Sequence, residues 1–155
     1  MRFAKLCLIG AIALLTVLPL SAQRKSSNVT LGVRTGVYFD PTDLLLGAEI
    51  LVPLASSLYL NPNIEYVLVD GGTMATFNMD GHYDLPVGGT PYLWVGGGLG
   101  LVYVDPDGPV DGEIHPGLDI LFGIGFDAGP VIPYSQFKAF VGDDSMISIA
   151  FGLRF

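Results

Sequence analysis

Residues Met146 to Phe155 read MISIAFGLRF. Ile147, Ile149, Phe151, Leu153 and Phe155 fall on one face of an extended chain, and Met146, Ser148, Ala150, Gly152 and Arg154 fall on the other. A repeat of two belongs to a β-strand, whose successive side chains point to opposite sides. One face is large and apolar, and the other is small or polar. Working back from this segment, the same alternation recurs from Asn28 to Phe39, Leu44 to Val52, Leu58 to Val69, Ala75 to Leu85, Pro91 to Val104, Ile114 to Asp127 and Ile132 to Val141. Turn-forming residues separate these segments: Asp40 to Asp43, Pro53 to Ser57, Asp70 to Gly72, Pro86 to Thr90, Asp105 to Glu113, Ala128 to Pro130 and Gly142 to Ser145. Eight strands and seven short connections predict an all-β chain, an eight-stranded antiparallel up-and-down barrel.

Two barrels fit eight such strands, a soluble one with an apolar lumen and a membrane one turned inside out. The polar phase decides between them. It collects glycines and small residues together with Arg34, Glu49, Glu65, Asp80, His82, Asp84, Asp119, Lys138 and Arg154. A soluble surface would be rich in Lys and Glu, yet only 14% of the chain is charged and half of it is hydrophobic. An eight-stranded lumen is only wide enough for side chains to fill, which suits glycines and paired charges. The large Phe, Ile, Leu and Val phase suits lipid, and Phe39, Tyr59, Tyr83, Tyr92, Tyr103 and Phe155 are placed to form interfacial girdles. The reading is a transmembrane barrel. Leu45, Leu51, Val67 and Val69 fall in the interior phase and predict a partly apolar lumen or a local bulge.

The apolar run Leu6 to Leu20 is too short for a spanning helix, which needs about 20 residues. It has the parts of a secretory signal instead: Arg2 and Lys5 ahead, Pro19 behind, and the small residue Ala22 for cleavage. An uncleaved anchor is the alternative, with Arg24 and Lys25 just beyond it. The expected division is residues 1–22 as signal peptide and 23–155 as barrel domain. Cys7 lies at the start of the apolar run, where it cannot be an acylation site, so the exported chain would carry no cysteine and no disulfide. Losing Arg2 and Lys5 takes the formal net charge from −8 to −10, which excludes nucleic acid as a partner.

Three stretches resemble small outer-membrane barrels of the OmpA/OmpX kind: Tyr59 to Tyr66 (YLNPNIEY), Pro91 to Gly98 (PYLWVGGG) and Ile147 to Phe155 (ISIAFGLRF). The resemblance covers Asn28 to Phe155. It implies a bacterial outer-membrane location, lipid contact, a monomer, and recognition of Phe151, Gly152, Leu153 and Phe155 by the barrel-insertion machinery as an assembly signal. The sequence departs from the kind in its short loops, and with no peptidoglycan-binding domain expected after the barrel, anchoring to the cell wall is not implied.

Little points to catalysis, and no cofactor is expected. His82 lies between Asp80 and Asp84 in the polar phase, which reads as a lumen hydrogen-bond network. His115 stands beside Pro116 and Gly117 and reads as loop. Gly96, Gly97, Gly98 and Gly100 precede strand residues, with no helix N-terminus to hold a phosphate. Asp105, Asp107, Asp111 and Glu113 offer oxygens for a cation, though without EF-hand spacing. The functional expectation is a structural or interaction barrel with a filled lumen. A narrow pore and a lipid-modifying enzyme are the alternatives.

Overall fold

The computed structural model describes residues 28–39, 42–87, 90–106, 112–127 and 129–155. The expected signal peptide and its cleavage residue Ala22 lie outside them, as do Asp107 and Asp111. Strand β1 spans Thr30–Phe39, β2 Thr42–Pro53, β3 Leu58–Leu68, β4 Gly72–Asp84, β5 Tyr92–Pro106, β6 Glu113–Gly125, β7 Ile132–Gly142 and β8 Met146–Arg154. Each pairs antiparallel with the next, and β8 returns to β1 to close the barrel. The closing seam runs from Gly32↔Arg154 to Tyr38↔Ser148. Reciprocal backbone bonds between Leu31 and Phe155, at 3.0 and 2.9 Å, extend it by one step. Closure leaves no edge strand to aggregate.

The strands overrun the apolar alternation where cross-strand pairing continues into polar residues. Strand β2 starts at Thr42, opposite Phe39, and β4 at Gly72, opposite Pro106. His115, at the entry of its segment and expected to be loop, is instead a strand residue of β6 opposite Val102, because the β5–β6 ladder continues past it to Val104↔Glu113. Where the chain does reverse sharply, glycine takes the left-handed backbone: Gly71 at φ 78° between β3 and β4, and Gly129 at φ 95° between β6 and β7.

The two faces of the sheet are sorted as the alternation requires. Leu31, Val33, Leu46, Ile64, Phe77, Leu99, Ile120, Phe137 and Phe151 all point outward and are exposed. The polar phase is buried inside. Of the aromatics expected in girdles, Phe39 and Phe155 face outward, and Tyr83 and Tyr103 are half-buried. Tyr59 and Tyr92 instead point into the lumen, since they share a phase with Asn61 and Trp94.

The barrel has two rims. One carries both ends of the barrel chain and the β2–β3, β4–β5 and β6–β7 turns. The other carries the β1–β2, β3–β4, β5–β6 and β7–β8 connections. An apolar layer of Tyr38, Leu45, Val67, Met74, Val102, Phe140 and Ala150 fills the lumen toward the second rim, with Val69 and Val104 packed against it. Leu45, Val67 and Val69 are therefore part of an apolar plug. An aromatic layer of Tyr92, Trp94 and Tyr134 lies toward the first rim.

Candidate functional site: the charged lumen

Between these layers and overlapping the aromatic one lies a polar belt, and it holds the nine charged or ionisable residues that the sequence placed in the polar phase. Arg34, Glu49, Glu65, Asp80, His82, Asp84, Asp119, Lys138 and Arg154 are each buried. An ion taken out of water loses several kcal/mol of solvation unless partners replace it. The geometry shows which ones have partners.

Five of them form one alternating chain. Arg154 grips Glu49 through Nε to Oε1 at 2.6 Å and through Nη2 to Oε2 at 3.4 Å. Arg34 Nη1 lies 3.7 Å from Glu49 Oε2, and Arg34 Nη2 lies 3.0 Å from Glu65 Oε1. Lys138 Nζ then meets Glu65 Oε2 from the far side. The same oxygen accepts from Tyr38 Oη at 2.6 Å and from Thr76 Oγ1 at 3.0 Å. Glu65 is thus the hub, with four donors on one carboxylate. Arg154 is also held by rings: its guanidinium stands 4.2 Å from the Tyr134 centroid and 4.9 Å from that of Trp94.

His82 and Asp84 form a separate pair. His82 Nε2 is 2.9 Å from Asp84 Oδ1, and its ring stacks on Trp94 at 4.8 Å with Tyr59 edge-on at 5.5 Å. The imidazole is sealed between aromatic faces and held by one carboxylate.

Asp80 and Asp119 stand apart from both groups. Asn63 links Asp80 to the chain: its Nδ2 donates to Asp80 Oδ2 at 2.7 Å, and its Oδ1 accepts from Arg34. Asp80 Oδ1 and both oxygens of Asp119 receive no donor from another side chain, and the two acids are close enough to share a proton. The three bases are shared between two glutamates, so no single network compensates every lumen charge.

Sequence reasoning missed much of the supporting cast. Asn63, Thr76, Asn78, Gln136 and Ser148 are buried in the belt, and Trp94 and Tyr134 cap it. Their signal was the phase they share with the charged residues. The residues expected to form an assembly signal are split by the same alternation. Phe151, Leu153 and Phe155 are exposed on the outer face, while Gly152 lies against the Tyr134 ring inside.

Of the four acids expected to offer oxygens to a cation, only Asp105, near the end of β5, and Glu113, at the start of β6, lie among the described residues. Tyr103 Oη donates to Asp105 Oδ2 at 3.1 Å, and Glu113 lies 3.6 Å from His115, whose other nitrogen is 3.7 Å from Asp144. Among the described residues, no three His, Cys, Asp or Glu side chains are placed to hold a metal.

No protein-family model matches the sequence, and no curated protein does. Solved structures do. The N-terminal β-barrel domain of Pseudomonas aeruginosa OprF matches with a TM-score of 0.69 at 15% identity, over 85% of this chain and all of that one. Neisserial surface protein A matches at 0.57 and 10% identity, over 81% of this chain and 92% of its own. The attachment invasion locus protein Ail of Yersinia pestis matches at 0.54 and 12% identity, over 82% and 96%. At such identities the likeness is one of fold: the chain has the closed eight-stranded architecture of small outer-membrane barrels.

Proposed function

We propose that this chain is a bacterial outer-membrane barrel with a structural or interaction role, its lumen filled by side chains rather than open to solutes. The inversion of its faces carries the reading. Large apolar side chains stand exposed around the whole circumference, while arginine, lysine and glutamate are buried and paired inside. Water would reward the opposite arrangement. Strands of 9 to 15 residues also meet the span a tilted membrane strand needs. In this reading lipid covers the outer face, the barrel acts as a monomer, and the exposed Phe151, Leu153 and Phe155 are what the insertion machinery reads. No catalytic residue is assigned.

The test is cell fractionation combined with gel migration of unheated and boiled samples. The protein should partition with the outer membrane, and the unheated barrel should run differently from the boiled chain. Recovery in the soluble fraction would overturn the reading. In planar bilayers the refolded barrel should carry no steady current, because the apolar layer and the paired belt both block the lumen. A reproducible open state would replace the filled barrel with a pore.

A further inference from the structure

Four of the belt's unpartnered oxygens lie along one stretch of β5. In the ladders Asp80 lies opposite Gly98, and Gly98 opposite Asp119. A residue with no side chain therefore separates two buried carboxylates. Two residues along β5, Gly100 lies opposite Asn78. A Cβ on Gly98 would strike Asp80 Oδ1, and a Cβ on Gly100 would sit 2.9 Å from Asn78 Oδ1 and 3.0 Å from Asp119 Oδ2. The two glycines form a floor, and oxygens from β4 and β6 lean over it.

Asn78 supplies an observation independent of the acids. Its amide nitrogen donates to Asn63 Oδ1 at 2.8 Å and to Thr76 Oγ1 at 3.0 Å. Those two acceptors fix which end of the amide is nitrogen. The remaining atom, Oδ1, is a buried acceptor with no donor, on a residue only 5% exposed. Asp119, 2% exposed, has two more such oxygens, and Asp80 has one. A buried polar atom normally has a partner; a proton shared by Asp80 and Asp119 would join only one pair of these four acceptors, whereas a ligand that binds oxygen would satisfy them together.

The charge count gives the ligand's class. The lumen holds five carboxylates (Glu49, Glu65, Asp80, Asp84 and Asp119) and three permanent cations (Arg34, Lys138 and Arg154), so with every carboxylate ionised two negative charges would be left over. Arg34 and Lys138 are already drawn to Glu65. Calcium is a hard cation that accepts carboxylate and amide oxygens in irregular numbers, with water completing its shell. The geometry points to a binding site for a hard divalent cation of the calcium type, held by Asp80, Asp119 and Asn78 over Gly98 and Gly100. It is distinct from the acidic β5–β6 connection and does not depend on what surrounds the outer face.

The experiment compares barrels refolded in detergent micelles with calcium or with EDTA, reading the bound metal and the midpoint of urea unfolding. The parent should bind one calcium per barrel and unfold at higher urea when calcium is present. Asp119→Asn should still fold, because it removes an uncompensated charge, but should bind calcium at least about tenfold more weakly, since affinity follows the charge of the ligand set. Gly100→Ala should weaken binding too, by crowding the oxygens of Asn78 and Asp119. Glu113→Gln, at the start of β6 beside the acidic connection, should leave binding unchanged. A parent that neither binds calcium nor responds to it overturns the proposal, and so does an Asp119→Asn barrel with a full response. If only Glu113→Gln loses the metal, the site is in the loop and the lumen proposal fails.

Discussion

The lumen wall built by β1–β3, β7 and β8 and the wall built by β4–β6 fill one narrow space in opposite ways. The first sends long charged side chains across the lumen, and each meets an opposite charge: Arg154 to Glu49, Arg34 to Glu49 and Glu65, Lys138 to Glu65. The second holds Gly96, Gly98, Gly100, Gly117 and Gly123, and its acids Asp80 and Asp119 receive no such cation. Bulk from elsewhere takes the space the glycines leave. Phe140 of β7 reaches over Gly117, and Trp94 lies against Gly123. The difference teaches that charge pairing and volume filling are one problem in so small a barrel. Glycine makes room in both walls, but in the first it admits charge, Arg34 over Gly47 and Glu49 over Gly32. In the second it admits rings, and the acids of that wall form no ion pair with an arginine or lysine.

The largest expected effect breaks the first wall at its hub. Glu65→Leu removes the carboxylate that accepts from Lys138, Arg34, Tyr38 and Thr76. Both cations stay buried, and orphaning a buried charge in this way costs about 3–5 kcal/mol. Urea unfolding in lipid vesicles measures it. A loss well under that range would mean the chain of charges does not hold this wall together, and the contrast between the walls would collapse.

The second test asks whether the contrast is confined to the inside. Ile64 on β3 and Ile120 on β6 both point outward from opposite walls. An arginine facing lipid costs about 2–4 kcal/mol near the midplane, whatever lies behind the sheet. Ile64→Arg and Ile120→Arg should therefore destabilise the barrel in vesicles by similar amounts. A large loss for one and none for the other would show that the two outer faces differ as well, and that only one of them is lipid-covered.

These comparisons also mark what could be read in the chain before its fold was known. Strand number and the sorting of faces were legible because a repeat of two is local: Ile147 and Ile149 declare their side within three residues. The inner phase could likewise be identified, since Glu65 follows Asn61 and Asn63 at alternate positions and Lys138 follows Gln136. Pairing across the lumen was not legible. Arg154 and Glu49 are 105 residues apart in sequence, and nothing local to either selects the other. Nor was the division of labour between the walls. That Asp80 and Asp119 flank Gly98 follows only from the register of three strands. Tyr59 and Tyr92 misled for a related reason. Their nearness to strand ends fits a girdle, but the phase they occupy turns them inward.

The smallest expected effect sharpens the comparison within the second wall, where one glycine is crowded and another is free. Trp94 lies opposite Gly123 in the β5–β6 ladder. A Cβ on Gly123 would collide with the indole, reaching within 2.7 Å even of Nε1. The ring cannot step aside easily, because His82 stacks on one side of it and the Arg154 guanidinium is close by. Gly123→Ala is thus an overpacking change, of a kind that costs about 1–3 kcal/mol. Gly81 sits on β4 with its Cβ position facing outward, where the only neighbour would be Gly97 O at 3.5 Å, an ordinary contact. Gly81→Ala should leave stability unchanged or raise it by roughly 0.4–1 kcal/mol, through the lower entropy of the unfolded chain. Since Trp94 is the only tryptophan, its fluorescence reports the collision directly. Gly123→Ala should shift the emission of the folded barrel together with its unfolding midpoint, and Gly81→Ala should move neither downward. If Gly123→Ala leaves both spectrum and midpoint at parent values, the indole has room to spare and the glycines of this wall are not there to admit bulk.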